Sequence, residues 1–95
     1  MKLYLISQNQ NDDYDTYDSA VVAADNEILA RATHPSEYKV WIEGRVHFKY
    51  SNGTIEPESG SHDWASDLEA IKVEYLGEAK EGTEAGIVLA SFNAG

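Results

Sequence analysis

Short apolar runs alternate along the chain with polar, turn-rich ones, and the spacing inside each run sets the element it predicts. "KLYLISQ" (2–8) alternates Leu3 and Leu5 with Tyr4 and Ile6 and is rich in strand formers, which predicts a buried strand. "NQNDDYDT" (9–16) is a polar loop whose Asn and Asp side chains favour turns, and "YDSAVVAA" (17–24) predicts a second strand. An antiparallel pair is the simplest connection across that loop. Asp25 or Asn26 can cap a helix, because a short side-chain oxygen accepts a bond from an orphan backbone N–H. "NEILARATH" follows with Ile28, Leu29 and Ala32 on one face, and Pro35 stops it, so a short helix is expected over roughly 26–34.

The second half reads as strands. In "YKVWIEG" Val40 and Ile42 share a face, and in "RVHFKYSNGTIEP" Val46, Phe48 and Tyr50 do the same. Gly44 can turn the first into the second, and Asn52-Gly53 is the residue pair that a type I′ hairpin prefers. "PESGSHDWASD" is a loop. A strand opens at about Ile71 with Ile71, Val73 and Tyr75 on one face, "KEGTEAG" turns, and "IVLASFN" is a last strand. Runs of strands with one helix predict an α+β fold: a small antiparallel sheet of about five to six strands with the short helix packed on it. No repeat or linker interrupts this pattern, so residues 1–95 are expected to form a single domain.

Charge changes the picture more than composition does. Apolar residues make up 42% of the chain, ordinary for a folded protein, but 17 acids face 7 Lys and Arg for a net charge of −10. Such a chain repels nucleic acid and anionic membrane and attracts basic protein surfaces at long range. The same charge also serves plain solubility. Without cysteine there is neither a disulfide framework nor a thiolate metal site. The N-terminal apolar run is too short for a signal segment, and nothing approaches the roughly 20 apolar residues of a membrane span. The cytoplasm is therefore the expected compartment, where "NGT" (52–54) is a turn rather than a glycosylation site.

Candidate chemistry thins out on inspection. Calcium would suit the oxygens of "NQNDDYDTYD", but an EF-hand loop needs glycine at its sixth position and an acid at its twelfth. Starting from Asn9, Asn11 or Asp13, the sixth residue is Tyr14, Thr16 or Asp18 and the twelfth is Ala20, Val22 or Ala24. His34 ends the helix, where a positive charge would suit the dipole. His47 alternates with Val46 and Phe48 and should face solvent. "SHD" (61–63) holds the residue types of a nucleophilic triad, but adjacent residues cannot point at one another as a triad requires. No phosphate-binding glycine loop is present. The chain therefore reads as a non-enzyme with no cofactor and no metal.

Surface recognition is what remains. Tyr14, Tyr17, Tyr38, Tyr50, Trp41 and Trp64 exceed the obvious needs of a one-helix core, and Tyr and Trp carry much of the energy of protein interfaces. Most would pack inside; Tyr14 and Tyr17, interleaved with acids at a loop-to-strand junction, are the exceptions. Asp12, Asp13, Asp15 and Asp18 would stand in for phosphates on a basic surface with Tyr14 and Tyr17 as anchors. Glu56, Glu58 and Asp63 would extend the patch around Trp64.

Two segments, "MKLYLISQ…YDTYDSAVVAAD…ARATHP" and "VEYLGEA…GIVLASFNAG", resemble a family of short proteins encoded in bacteriophages and prophages. The residues that carry the resemblance are Tyr14, Asp15, Tyr17, Asp18, His34, Pro35, Leu76 to Ala79 and Ala90 to Gly95, within about 1–35 and 71–95. The resemblance implies a phage setting in a bacterial host. Small acidic phage proteins often bind host machinery stoichiometrically, including defence nucleases. The expected activity is thus inhibition of a host protein with a basic, nucleic-acid-binding surface, an anti-CRISPR or other anti-defence role. That partner would be a nuclease or CRISPR effector, with no direct contact to nucleic acid or membrane. Two alternatives stand beside it: a structural or self-assembling phage protein whose strand edge pairs with a second copy as a homodimer, and a domain that binds a small ligand or cation at the acidic loop.

Overall fold

The structure is a computed structural model that describes residues 1–11, 15–58 and 63–93. Among the described residues seven strands form two antiparallel sheets. β1 (Lys2–Ser7), β2 (Thr16–Ala24), β6 (Lys72–Glu78) and β7 (Gly86–Asn93) make a four-stranded sheet in the order β6-β1-β2-β7. β3 (Lys39–Ile42), β4 (Arg45–Lys49) and β5 (Ile55–Pro57) make a three-stranded sheet in that order. The strands are thus seven rather than five or six, and they are divided between two sheets. Alternation marks a strand but not its partner, and β6 and β7 return from the far end of the chain to flank β1 and β2.

The expected first hairpin is present, with Leu5 opposite Val21 and Lys2 opposite Ala24. One face of the larger sheet presents Tyr4, Ile6, Ala20, Val22 and Ala24 to the core. Over it lie Ala30, Trp64, Ala65 and Ile71, with Trp41 reaching in from the smaller sheet.

The helix α1 (Glu27–Arg31) is shorter than its pattern suggests and turns the other way. Asn26 caps it, its Oδ1 accepting from the Leu29 N–H at 2.9 Å. Ala30 alone is buried, whereas Ile28 is 77% exposed and Leu29 50%. Five residues bury one position, and the close approach to the sheet selects the smallest side chain on that face.

Gly44 turns the chain as expected, but the type I′ geometry expected at Asn52-Gly53 stands at Glu43-Gly44 instead. Glu43 and Gly44 both have positive φ, 50° and 77°, between the paired Ile42 and Arg45, which is the type I′ pattern. At 52–53 only Gly53 has positive φ, 90°. Its N–H donates to the Tyr50 carbonyl at 3.0 Å while the Tyr50 N–H donates to Thr54 at 2.9 Å, a three-residue loop closed by a glycine bulge. Asn52 contributes differently, its Oδ1 accepting from the Thr54 N–H at 2.9 Å.

A Cβ at Gly53 would meet nothing within 4 Å, so any cost of substitution there is backbone strain alone. Gly53→Val is expected to lower stability by about 1 kcal/mol or more, read from the denaturant midpoint. Gly53→Asn should lose less, since Asn tolerates this region better. A valine variant with the parent's midpoint would show that the turn does not hold this conformation.

Candidate functional site

The acidic end of the larger sheet is organised by Gln8, a buried polar residue at the end of β1. Its Nε2 donates to the carbonyls of Asn11 (2.7 Å) and Tyr17 (2.8 Å), and its Oε1 accepts from the N–H groups of Gln10 and Asn11, both at 2.8 Å. One amide side chain thereby replaces the ladder partners that the loop backbone lacks. The loop is also tied to the segment after Asp63. Asn11 Nδ2 donates to the Trp64 carbonyl (2.8 Å), and Gln10 Oε1 accepts from the Ser66 N–H (2.8 Å).

On this frame Asp15 is exposed with φ 61°, a conformation Asp adopts more readily than most residues. Asp18 is the extra residue where Tyr17 pairs with Phe92 and Ser19 with Ser91, so it bulges out of the ladder into solvent. Tyr17 is half-buried and packs on the core, its ring 4.8 Å from that of Phe92 at 62°. Its N–H donates to the Asp63 carbonyl at 2.7 Å. Burial first, then the charge of Asp63, pushes its phenol pKa up. Asp12, Asp13 and Tyr14 lie outside the described residues. Of the expected anchors, then, Tyr17 is partly spent on packing, and the exposed ring of the pair is Phe92, which only the β2–β7 register reveals.

The other expected site residues separate. Glu56 is exposed and accepts from the Tyr50 hydroxyl at 3.2 Å. Trp64 is 1% exposed and belongs to the core, so it offers no surface for a patch to surround. Glu58 is likewise buried, its side chain 2% exposed. These two corrections share a cause: "SHDW" looks like open loop in sequence, but the indole closes the core above Ile6 and Val22.

Glu58 and Asp63 instead meet Lys39, whose ammonium pairs with Glu58 and lies 2.8 Å from Asp63 Oδ1. Lys39 also sits 5.0 Å from the centroid of the Phe48 ring. Burial alone would lower the lysine pKa, but its bonds to Asp63 and Glu58 outweigh that and hold it above the ordinary value. Lys39 and Trp41 share the inward face of β3, and Val40 and Ile42, expected on one face, lie on the other, Val40 half-buried and Ile42 exposed.

His34 completes the cluster. Its Nδ1 accepts from the Ser36 N–H at 2.9 Å, which places the proton of the neutral ring on Nε2, 3.8 Å from Asp63 Oδ1. The Trp41 and Trp64 rings each stand 6.4 Å away, centroid to centroid. Burial dominates over the pull of Asp63 and pushes the His34 pKa down to about 4. The residue therefore sits in the fold as a neutral imidazole and not as a cation at a helix end. His47 lies on the side of β4 opposite the buried Val46, as its alternation predicts, and is half-buried there.

Because Asp63 bonds Tyr17 in β2 through its carbonyl and Lys39 in β3 through its carboxylate, the cluster joins the two sheets. Lys39 pairs with two carboxylates and His34 Nδ1 accepts from the backbone, while His34 Nε2 is buried without a hydrogen-bond partner among the described residues, so the group acts as a structural clasp with one polar atom unsatisfied. Among the described residues no three His, Cys, Asp or Glu side chains gather as metal ligands, and no helix is long and apolar enough to cross a membrane. Comparison with protein families, curated proteins and solved structures gives no match.

Proposed function

We propose that the protein is a non-enzymatic, phage-type binder that inhibits host machinery in the bacterial cytoplasm. In its most concrete form it is an anti-CRISPR or other anti-defence protein that occupies a basic, nucleic-acid-binding surface. The observation that supports this most is the backbone held on either side of the acidic segment, at Asn11 and at Tyr17. Gln8 holds the carbonyls of Asn11 and Tyr17, Asp15 is exposed two residues before Tyr17, and the bulge in β2 turns Asp18 outward at the strand end where Phe92 of β7 is exposed. Backbone held before encounter has less entropy to lose on binding. The acids draw in a basic partner, and the aromatic ring supplies desolvated contact.

The test is displacement of labelled target DNA from purified CRISPR effector complexes, followed at two salt concentrations. The protein is expected to displace the DNA, less effectively at high salt because the attraction is screened. Asp15→Asn with Asp18→Asn keeps side-chain shape and removes two charges from exposed positions. This variant should fold as the parent does and associate about tenfold more slowly. Phe92→Ala should act on the dissociation rate instead. Displacement that ignores both salt and the two aspartates would move the interface elsewhere and leave these acids as solvated surface.

A further inference from the structure

Four strand edges close the two sheets, and three of them carry features that discourage pairing with another chain. β3 is four residues long and holds the engaged Lys39, and β5 has three residues ending on Pro57. β6 carries Lys72, Glu74 and Glu78, with Leu76 as an extra residue against β1. β7 differs from all of these: Gly86–Asn93 contains neither a charge nor a proline. Its one irregularity is the extra residue Val88, after which Leu89, Ala90 and Ser91 pair in unbroken register with β2.

The face of the larger sheet that points away from the core shows the same asymmetry. Glu74, Leu5, Val21 and Leu89 lie in one row across its four strands. The row begins with a charge on β6 and runs off the sheet at Leu89, which is 68% exposed. Beside it on the same strand Val88 is 54% exposed. An apolar row that ends on an open, uncharged edge is an unfinished surface.

We infer that β7 is a self-association edge, along which two copies pair antiparallel about a two-fold axis near Leu89 to form one eight-stranded sheet. A second copy fits this edge for reasons of charge. β7 itself offers a basic partner no acid, the nearest on the neighbouring strand being Asp18, which bulges from β2 at the Phe92 end. A chain of net charge −10 can meet itself there because β7 is uncharged, Asp18 is the one charge on the neighbouring β2 and lies toward the Phe92 end, and the charges of β6 lie three strands back, roughly 14 Å away and beyond the screening length of about 8 Å at physiological salt. Antiparallel pairing is self-complementary under a two-fold axis, so each copy supplies the donors and acceptors the other needs. Leu89 then extends the apolar row into its own copy, and the guarded β6 edges stop growth at two. A single strand-to-strand contact is small against the roughly 1,200–2,000 Å² of stable interfaces, so the dimer forms reversibly with concentration.

Sedimentation equilibrium of the full chain over a wide concentration range tests this. The parent mass should rise from one copy to two and stop there. Leu89→Lys should remain a monomer with an unchanged far-ultraviolet spectrum, and Ser91→Lys serves as a second edge variant if the first fails to fold. Leu76→Lys, an exposed position on the guarded edge, should dimerise like the parent. A parent that stays monomeric, a mass that climbs past two copies, a lysine variant of β7 that still dimerises, or loss of the dimer in Leu76→Lys would each overturn the assignment.

Discussion

Replacing Lys39 with methionine is expected to remove about 3–5 kcal/mol of stability, the cost of leaving buried carboxylates without their counter-charge. Methionine keeps the length and flexibility of the lysine stem, so lost packing is a minor part of the effect. What changes is that the Glu58 side chain, 2% exposed, and that of Asp63, 22% exposed, keep two negative charges with the ammonium gone. Small domains hold only some 5–15 kcal/mol in total, so the variant should melt far below the parent or fail to fold at all. Neutralising the carboxylates as well separates charge from shape. Lys39→Met combined with Glu58→Gln and Asp63→Asn should recover much of the loss, because no uncompensated charge then remains. Urea unfolding of the parent, the single and the triple variant makes the measurement. A single variant with the parent's midpoint would mean that the clasp contributes nothing net to joining the sheets.

That clasp was the part of the protein least legible in its sequence, for a physical reason. Alternation reports that Leu3, Leu5, Val21 and Val46 belong to strands, since one-sided burial imposes a period of two on each strand separately. The first hairpin, the Asn26 cap and most strand positions follow from such local rules. Which strands neighbour each other is a long-range matter, and nothing in "IVLASFN" says that it flanks β2. The same gap explains Trp64 and Glu58. A loop rich in Ser, Gly and acids looks solvated until its one tryptophan is needed to close the core, and Glu58 is drawn in with it opposite Lys39. The helix failed in miniature: Ile28, Leu29 and Ala32 make a plausible apolar face, but within five residues the tight approach of Ala30 to the sheet decided the orientation. For the candidate surface, the acids Asp15 and Asp18 were visible as composition. The Gln8 bonds that hold the backbone at Asn11 and Tyr17 were not, because a glutamine carries no local signal of what it will bridge.

The last expectation concerns acid, and it follows from the neutral imidazole inside the clasp. His34 has its Nδ1 committed to the Ser36 N–H and its side chain 1% exposed, facing Asp63, Lys39 and Glu58. Burial pushes its pKa down from 6.5 to about 4 in the fold. Between those values the unfolded chain binds a proton at this residue and the folded chain does not, so stability rises with pH across that window. The contribution is fully present above pH 6.5 and is lost progressively as the pH falls toward 4. By pH 5 the loss relative to pH 7 should be about 2 kcal/mol. Urea midpoints taken at half-unit steps from pH 7 to pH 5 should fall accordingly in the parent. His34→Leu begins less stable, having lost the acceptor for Ser36, but should show a much flatter slope over the same interval, above the range where ordinary carboxylates titrate. If the variant does not fold, the ring resonances of His34 in the parent give the answer directly, with a midpoint expected near 4. An imidazole that titrates near 6.5, or equal slopes in parent and variant, would mean that the ring is solvated and that the clasp is open at its His34 side.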